Sequence, residues 1–211
     1  TMANEDRPFG LKPVRYKSGA PYNGACQPYY VAASYGTALF IGDPVLKVAA
    51  GSNTAQVVAP GAGSFNIGTL PQVEKAGAGD TSQITGVIIG FSPLATNLEV
   101  KHNTASTERV ALVADDPFLI FEIQADGAVV AASMGLNAVL IFTHSGSATT
   151  GLSGVELDTT SDAPAADASN QLLIVRAVNR EDNDTTLIWA KVEVLINQHT
   201  ENQGTVGTLG I

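Results

Sequence analysis

The stretch ADDPFLIFEIQADG, residues 114–127, decides the fold class of this chain. It opens with the turn-forming sequence DDP at 115–117 and closes with DG at 126–127. Between the turns, side chains alternate with a period of two, so that one strand face is wholly apolar and the other is half apolar. The wholly apolar face consists of Leu119, Phe121 and Ile123. This pattern predicts a strand of an antiparallel sandwich, with one face on the core.

The rest of the chain repeats this alternation of short apolar runs and turn signals. We count about nine to eleven candidate strands at the spacing of sandwiches and barrels, and no convincing amphipathic helix. The two longest candidates, 171–178 and 187–197, flank a polar hairpin tip at 180–184. The other candidates are 37–41, 45–48, 55–58, 84–91, 97–102, 108–114, 137–143 and 155–158. The predicted fold class is therefore all-β, an antiparallel β-sandwich of jelly-roll-like type.

Three regions differ in composition. Residues 1–36 contain all five tyrosines and four of the ten prolines, which predicts an extended N-terminal arm with aromatic anchors. Such an arm packs either on its own domain or on a neighbouring subunit. Residues 37–198 form the predicted sandwich body, and residues 199–211 a flexible C-terminal tail.

Charge and composition restrict the class of partner. The formal net charge is −9, and charged residues make up only 15% of the chain. An acidic body disfavours nucleic acid as the partner, because phosphate binding needs basic patches. No apolar run is long enough to span a membrane. Cys26 is the single cysteine, which excludes an intramolecular disulfide and is typical of a reducing cytoplasm.

No motif indicates catalysis. The three histidines are scattered, and neither GLSG at 151–154 nor AGAGD at 76–80 completes a nucleophile elbow or a phosphate loop. The adjacent pair Asp115-Asp116 is better explained as a cap of the turn before Pro117. The DND sequence at 182–184 could hold a hard cation such as calcium, but it lacks the later bidentate acid of an EF-hand loop. We therefore expect no enzyme activity, no cofactor and no metal centre.

Several stretches together carry a family resemblance: RPFGLKPVRYKSG, PYYVAASYGTALFIGDPV, ADDPFLIFEIQADG, TGLSGVELDTTS, LLIVRAVNREDND and WAKVEVLINQHT. In this order the sequence resembles the capsid decoration (cement) proteins of tailed bacteriophages, over residues 7–200. The resemblance implies a β-sandwich on the outside of the phage head that clamps neighbouring major capsid proteins. It also implies no catalysis and no cofactor.

The expected partners are thus the major capsid protein and further copies of the chain, as a homodimer or homotrimer. The expected location is the exterior of the virion, after synthesis in the cytoplasm of the bacterial host. The resemblance transfers no contact residues. From chemistry alone we predict capsid contacts at aromatic and basic positions of the arm. These are Phe9, Arg15, Tyr16, Tyr22 and Tyr29.

Two other functions remain open. A carbohydrate-binding head fibre or adhesin module would need exposed aromatic side chains on one sheet face, where only Trp189 qualifies. A hydrolase would need a pocket whose carboxylates have perturbed pKa values.

Overall fold

A computed structural model describes residues 4–57, 64–77, 82–94 and 97–201 of the chain. Within these residues the regular structure is almost entirely β, with one short 3₁₀ helix at Ala131–Ser133. The strands are β1 (Lys12–Tyr16), β2 (Gln27–Val31), β3 (Pro44–Gly51), β4 (Gln56–Val57), β5 (Ser64–Phe65), β6 (Pro71–Lys75), β7 (Gly86–Phe91), β8 (Arg109–Ala114), β9 (Leu119–Gln124), β10 (Asn137–Ala138), β11 (Leu140–Ile141), β12 (Glu156–Leu157), β13 (Leu172–Ala177) and β14 (Lys191–Ile196). The predicted all-β class is confirmed.

Two large sheets contain ten of these strands, while β4 with β5 and β11 with β12 form two-stranded sheets. One is a five-stranded antiparallel sheet in the order β1-β9-β14-β13-β10. The other is a closed barrel in the order β2-β6-β3-β7-β8, in which the β2–β6 pair is parallel. Closure leaves the barrel without an unpaired edge, which is the usual hazard of a sheet. The jelly-roll-like arrangement stays a prediction.

The strand predicted within residues 114–127 is β9, an inner strand of the five-stranded sheet. All six residues of β9 are buried, and the strand pairs with β1 on one side and β14 on the other. The preceding turn carries the chain from β8 in the barrel to β9 in the sheet. Asp116 caps this turn as predicted, since its Oδ1 accepts the Phe118 N–H at 2.7 Å. The stretch that fixes the fold class therefore also connects its two parts.

The largest core cluster lies between the sheet and the barrel. It joins Phe121 and Val194 of the sheet to Val87 and Ala114 of the barrel, and all four are at most 1% exposed. A second cluster fills the barrel interior. Its members are Tyr29, Val31, Leu39, Val45, Val73, Ile88, Ala111 and Val113. Burial of these apolar surfaces is the main force that holds the two parts together.

The N-terminal region belongs to both sheets. Strand β1 forms the edge of the five-stranded sheet beside β9, and β2 lies between β6 and β8 in the barrel. Strands β1 and β2 thus pack on their own domain, which is one of the two alternatives that the aromatic residues allowed. The division into arm, body and tail stays a prediction. Of the predicted tail, residues 202–211 lie outside the described part of the chain, while His199 is buried and bridges Ile84.

Some predicted strands are wrong. Residues 97–102 form a turn in which Asn97 Oδ1 accepts the Glu99 N–H, and Leu98 is 77% exposed. Residues 37–41 make only isolated bridges through Leu39 and Ile41. The last strand begins at Lys191 rather than at residue 187. Alternation alone predicted these segments, but no neighbouring strand lies along them to complete a ladder.

None of the described residues forms a helix long and apolar enough to cross a membrane.

Candidate interaction groove

Two glycines hold the N-terminal segment against the barrel. The Leu11 N–H donates to the Gly42 carbonyl at 2.9 Å. Gly10 and Gly42 have φ values of +69° and +94°, a region that L side chains rarely adopt. A Cβ on Gly42 would lie 2.2 Å from the Phe9 carbonyl oxygen, and one on Gly10 would lie 2.3 Å from the Gly42 carbonyl oxygen. Only glycine at both positions allows this close approach of the two backbones.

A groove of about 670 Å³ runs beside this contact, at the seam between the sheet and the barrel. We call it the N-terminal groove. It is lined by Phe9, Leu11, Lys12, Pro13, Tyr22, Ile41, Gly42, Ile88, Ile89, Glu122, Leu152, Arg180 and Lys191. Most of these residues are apolar. The buried Leu11 and the half-buried Ile89 form the floor, and half-buried side chains such as Phe9 form the walls.

The rim of the groove is basic although the chain is acidic. Lys12, Arg180 and Lys191 stand around the apolar floor, and Arg180 is paired with Glu122. Among the described residues, no carboxylate lies within ion-pair distance of Lys12 or Lys191. An apolar floor with unpaired cations at its rim suits a ligand that combines an apolar group with a carboxylate.

Two of the five predicted contact residues line this groove. Phe9 forms part of one wall, and Tyr22 forms another. Burial raises the pKa of Tyr22 to about 12, so its phenol is neutral at ordinary pH; the hydroxyl donates to the Ala25 carbonyl at 2.7 Å. Tyr16 does not line the groove. Its ring lies next to that of Tyr22, with centroids 6.3 Å apart, and Tyr16 lines a separate surface pocket with Phe118, at the turn before β9.

Arg15 has a structural role that its sequence context did not indicate. Its Nε and Nη2 atoms donate to Glu193 Oε2 at 2.9 and 2.6 Å, and its side chain is only 22% exposed. Arg176 holds the same carboxylate at 2.9 and 3.0 Å. Burial would raise the pKa of Glu193, but the hydrogen bonds from Arg176 and Arg15 outweigh it and hold the pKa below its ordinary value. The guanidinium of Arg15 is therefore engaged within the chain.

Tyr29, the fifth predicted contact residue, lies in the interior of the barrel rather than on the surface. Tyr29 is 4% exposed and belongs to the core of the barrel. Its hydroxyl donates to Asp115 Oδ2 at 2.8 Å, and burial together with this bond raises the pKa of the phenol. The reason is the register of β2 against β8, which pairs Tyr29 with Ala111 and directs its ring into the barrel.

The other polar clusters are structural. Asn183, in the centre of the candidate calcium sequence, uses its amide to bind the backbone of Val178 and Lys191. Asp184 accepts the N–H and hydroxyl of Thr186. Glu156, which is 2% exposed, accepts from Gln124 and faces His144 Nδ1 at 2.6 Å. Within the described ranges no group of three or more His, Cys, Asp or Glu residues could hold a metal ion.

Sequence reasoning missed most of the groove. Its lining comes from eight separate segments, around residues 11, 22, 41, 88, 122, 152, 180 and 191, and no local pattern predicts that they meet. The one available signal was Gly10 between Pro8 and Pro13, since a glycine in a proline-restricted segment often marks a close backbone approach.

Comparison of the chain with protein-family models, with curated proteins and with solved structures found no match.

Proposed function

We propose that the chain is a structural virion protein that binds the outside of a tailed-phage head and stabilises contacts between major capsid protein subunits. It carries out no catalysis in this role. It acts as several copies, a homodimer or a homotrimer, on the exterior of the capsid.

One observation carries the proposal. Each of the six stretches on which the family resemblance depends contributes to the N-terminal groove or its rim. The contributions are Phe9 to Pro13 from the first stretch, Ile41 and Gly42 from the second, Glu122 from the third, Leu152 from the fourth, Arg180 from the fifth and Lys191 from the sixth. Sequence features that are far apart in the chain thus meet at a single apolar surface with a basic rim, which is suited to binding protein.

The edges of the five-stranded sheet support association through side chains rather than through added strands. The outer edge of β1 is occupied by residues 20–22, because Tyr16 N–H donates to the Ala20 carbonyl and Tyr22 N–H to the Val14 carbonyl. At the other edge, Asn137 and Ala165 exchange backbone hydrogen bonds at 2.9 Å. Covered edges prevent uncontrolled strand pairing, so a surface such as the groove is where a specific partner can bind.

The test uses phage heads assembled without this chain. Purified protein is added to expanded heads of the encoding phage, and bound protein is measured by co-sedimentation and located by image reconstruction. We expect saturable binding at symmetry-related positions on the outer surface, and DNA release at a higher temperature than from bare heads. Heads that bind no protein, or that bind it without any gain in heat resistance, would contradict the proposal.

A further inference from the structure

The turn between the barrel and the sheet presents an aromatic side chain to solvent. Phe118 is 57% exposed, and it follows the exposed Asp116 and the half-buried Pro117. We call residues 116–118 the acidic knob. Among the described residues with large exposed apolar side chains, Phe118 is the one aromatic. A tip that combines a phenyl ring and a carboxylate is complementary to an apolar floor with a basic rim.

The knob is held in a fixed conformation. Asp116 Oδ1 accepts the Phe118 N–H at 2.7 Å, and the Asp116 carbonyl accepts the Leu119 N–H at 3.1 Å. From the other side, the Lys17 N–H donates to the Phe118 carbonyl at 2.7 Å. A rigid aromatic anchor loses little conformational entropy when it binds, and such anchors dominate the binding energy of protein interfaces.

The groove is complementary to the knob in charge and in polarity. Its apolar floor of Leu11 and Ile89 can receive a phenyl ring, and the unpaired Lys12 and Lys191 stand at its rim. The knob brings Asp116, whose carboxylate lies on the solvent side of the turn. Outside these lysines the chain is acidic, with a net charge of −9 overall, so two copies would otherwise repel each other.

We propose that the acidic knob of one copy binds in the N-terminal groove of another, with Phe118 on the apolar floor and Asp116 beside Lys12 and Lys191. The proposed function requires several copies of the chain, and this proposal names the contact between those copies. It rests on the proposed function for what the oligomer does. Within one copy the two surfaces are neighbours, since Tyr16 lines a surface pocket together with Phe118 and its ring lies next to that of Tyr22 in the groove wall. Neighbouring surfaces of this kind allow two reciprocal contacts about one twofold axis.

The first experiment measures the association of the purified chain by sedimentation velocity over a range of concentrations. Phe118→Ser is expected to weaken association about 30-fold or more, as for an aromatic hot spot. The matched control is Leu98→Ser, because Leu98 is even more exposed, at 77%, and also adjoins an acid, Glu99. Both changes are on the surface, so thermal unfolding of each variant should match that of wild type.

The second experiment uses charge reversal. Lys12→Glu with Lys191→Glu should abolish association and its dependence on salt, whereas Lys101→Glu, at an exposed lysine that lines neither the groove nor the pocket beside the knob, should not. Asp116→Lys alone should also fail to associate. A mixture of the Asp116→Lys protein with the doubly reversed protein should associate again, because each then supplies the charge that the other needs.

The outcomes separate this contact from the proposed function. A wild-type chain that stays monomeric, or a Phe118→Ser variant that associates normally, overturns the knob-and-groove contact even if the protein binds heads. If rim reversal abolishes head binding while association persists, the groove binds the capsid instead, and the contact is again overturned. Association that depends on Phe118 in a protein that does not bind heads supports the contact and removes the proposed function.

Discussion

Glu122 and Glu193 lie directly opposite each other on β9 and β14, two adjacent inner strands of the five-stranded sheet. Like charges at such paired positions destabilise a sheet. Each carboxylate is neutralised from another segment: Arg180 pairs with Glu122, while Arg15 and Arg176 pair with Glu193. The N-terminal segment, through Arg15, therefore stabilises the middle of the sheet.

Replacement of Arg15 tests this role. Arg15→Gln removes one of the two cations that hold the largely buried Glu193 carboxylate, whose side chain is 12% exposed. We expect a loss of about 1–2 kcal/mol in the free energy of unfolding, reduced from the value for a buried pair because Arg15 is partly solvated. The control is Arg7→Gln, since Arg7 and Glu5 form an ion pair with side chains 76% and 64% exposed. Equal stability of the two variants in urea unfolding would contradict this role for Arg15.

The stability of the fold should fall in mild acid because of His199. Burial lowers the pKa of this imidazole from its ordinary value of 6.5, against the opposing influence of Glu201 and Asp115. The unfolded chain then binds a proton more readily than the folded one as the pH falls through 6.5, so the folded state loses stability below that pH and gains none above it. Between pH 7 and pH 5 the melting temperature of wild type should decrease more than that of His199→Gln. If the melting temperatures of the two proteins decrease equally over this pH range, His199 does not contribute to the pH dependence of stability.

Two alanine variants can distinguish the steric effect of the contact between Gly10 and Gly42 from the effect of backbone strain on stability. Gly42 and Gly19 have the same φ of +94°, but a Cβ on Gly42 would clash with Phe9 whereas one on Gly19 meets nothing within 4 Å. Gly19→Ala should cost about 1 kcal/mol from the left-handed conformation alone. Gly42→Ala should cost about 2 kcal/mol more, because the N-terminal segment must move away from the barrel. Similar midpoints in urea for the two variants would refute the close approach.

Asn4 anchors the loop that precedes β14. It is 5% exposed; its Nδ2 donates to the carbonyls of Asp184 and Ile188, and its Oδ1 accepts the Asp184 N–H. The same loop holds Trp189, the single tryptophan, with an unfavourable φ of +62°. Asn4→Ala should destabilise the protein by about 1–3 kcal/mol and shift the tryptophan emission to longer wavelength, as Trp189 becomes more exposed.

The control for this variant is Asn97→Ala, which removes an exposed side chain bonded only within its own turn. Its emission spectrum should equal that of wild type. An unchanged spectrum for Asn4→Ala would mean that other contacts hold the loop.

Local pattern predicted much of the β structure. The alternation at 119–124 identified a strand that is buried along its whole length, and the sequence DDP correctly marked the turn before it. The same reasoning failed at 97–102, where Leu98 alternates with polar residues but stays exposed. Alternation reports the preferred direction of side chains along a strand, and it does not report whether another strand is present to pair with.

The candidate site was predicted only in part. Phe9 and Tyr22 do line the N-terminal groove, because the proline-rich segment lies on the surface at the seam of the two sheets. Tyr29, from the same tyrosine-rich region, is a core residue, and Arg15 is engaged with Glu193. Aromatic and basic composition gave the chemistry of this region, but the register of β1 and β2 determined which side chains remain accessible.

By itself, the sequence determined the all-β class, the turns at DDP and DG, and the absence of helix-forming periodicity, because each depends on residues within a few positions of one another. Only the tertiary structure decided that β2, β6, β3, β7 and β8 close into a barrel, and that Leu11, Ile88, Leu152 and Lys191 meet in one groove. Those contacts join residues that are far apart in the chain. Their formation depends on the balance between burial of apolar surface and the entropy of closing long loops, which no short stretch of sequence contains.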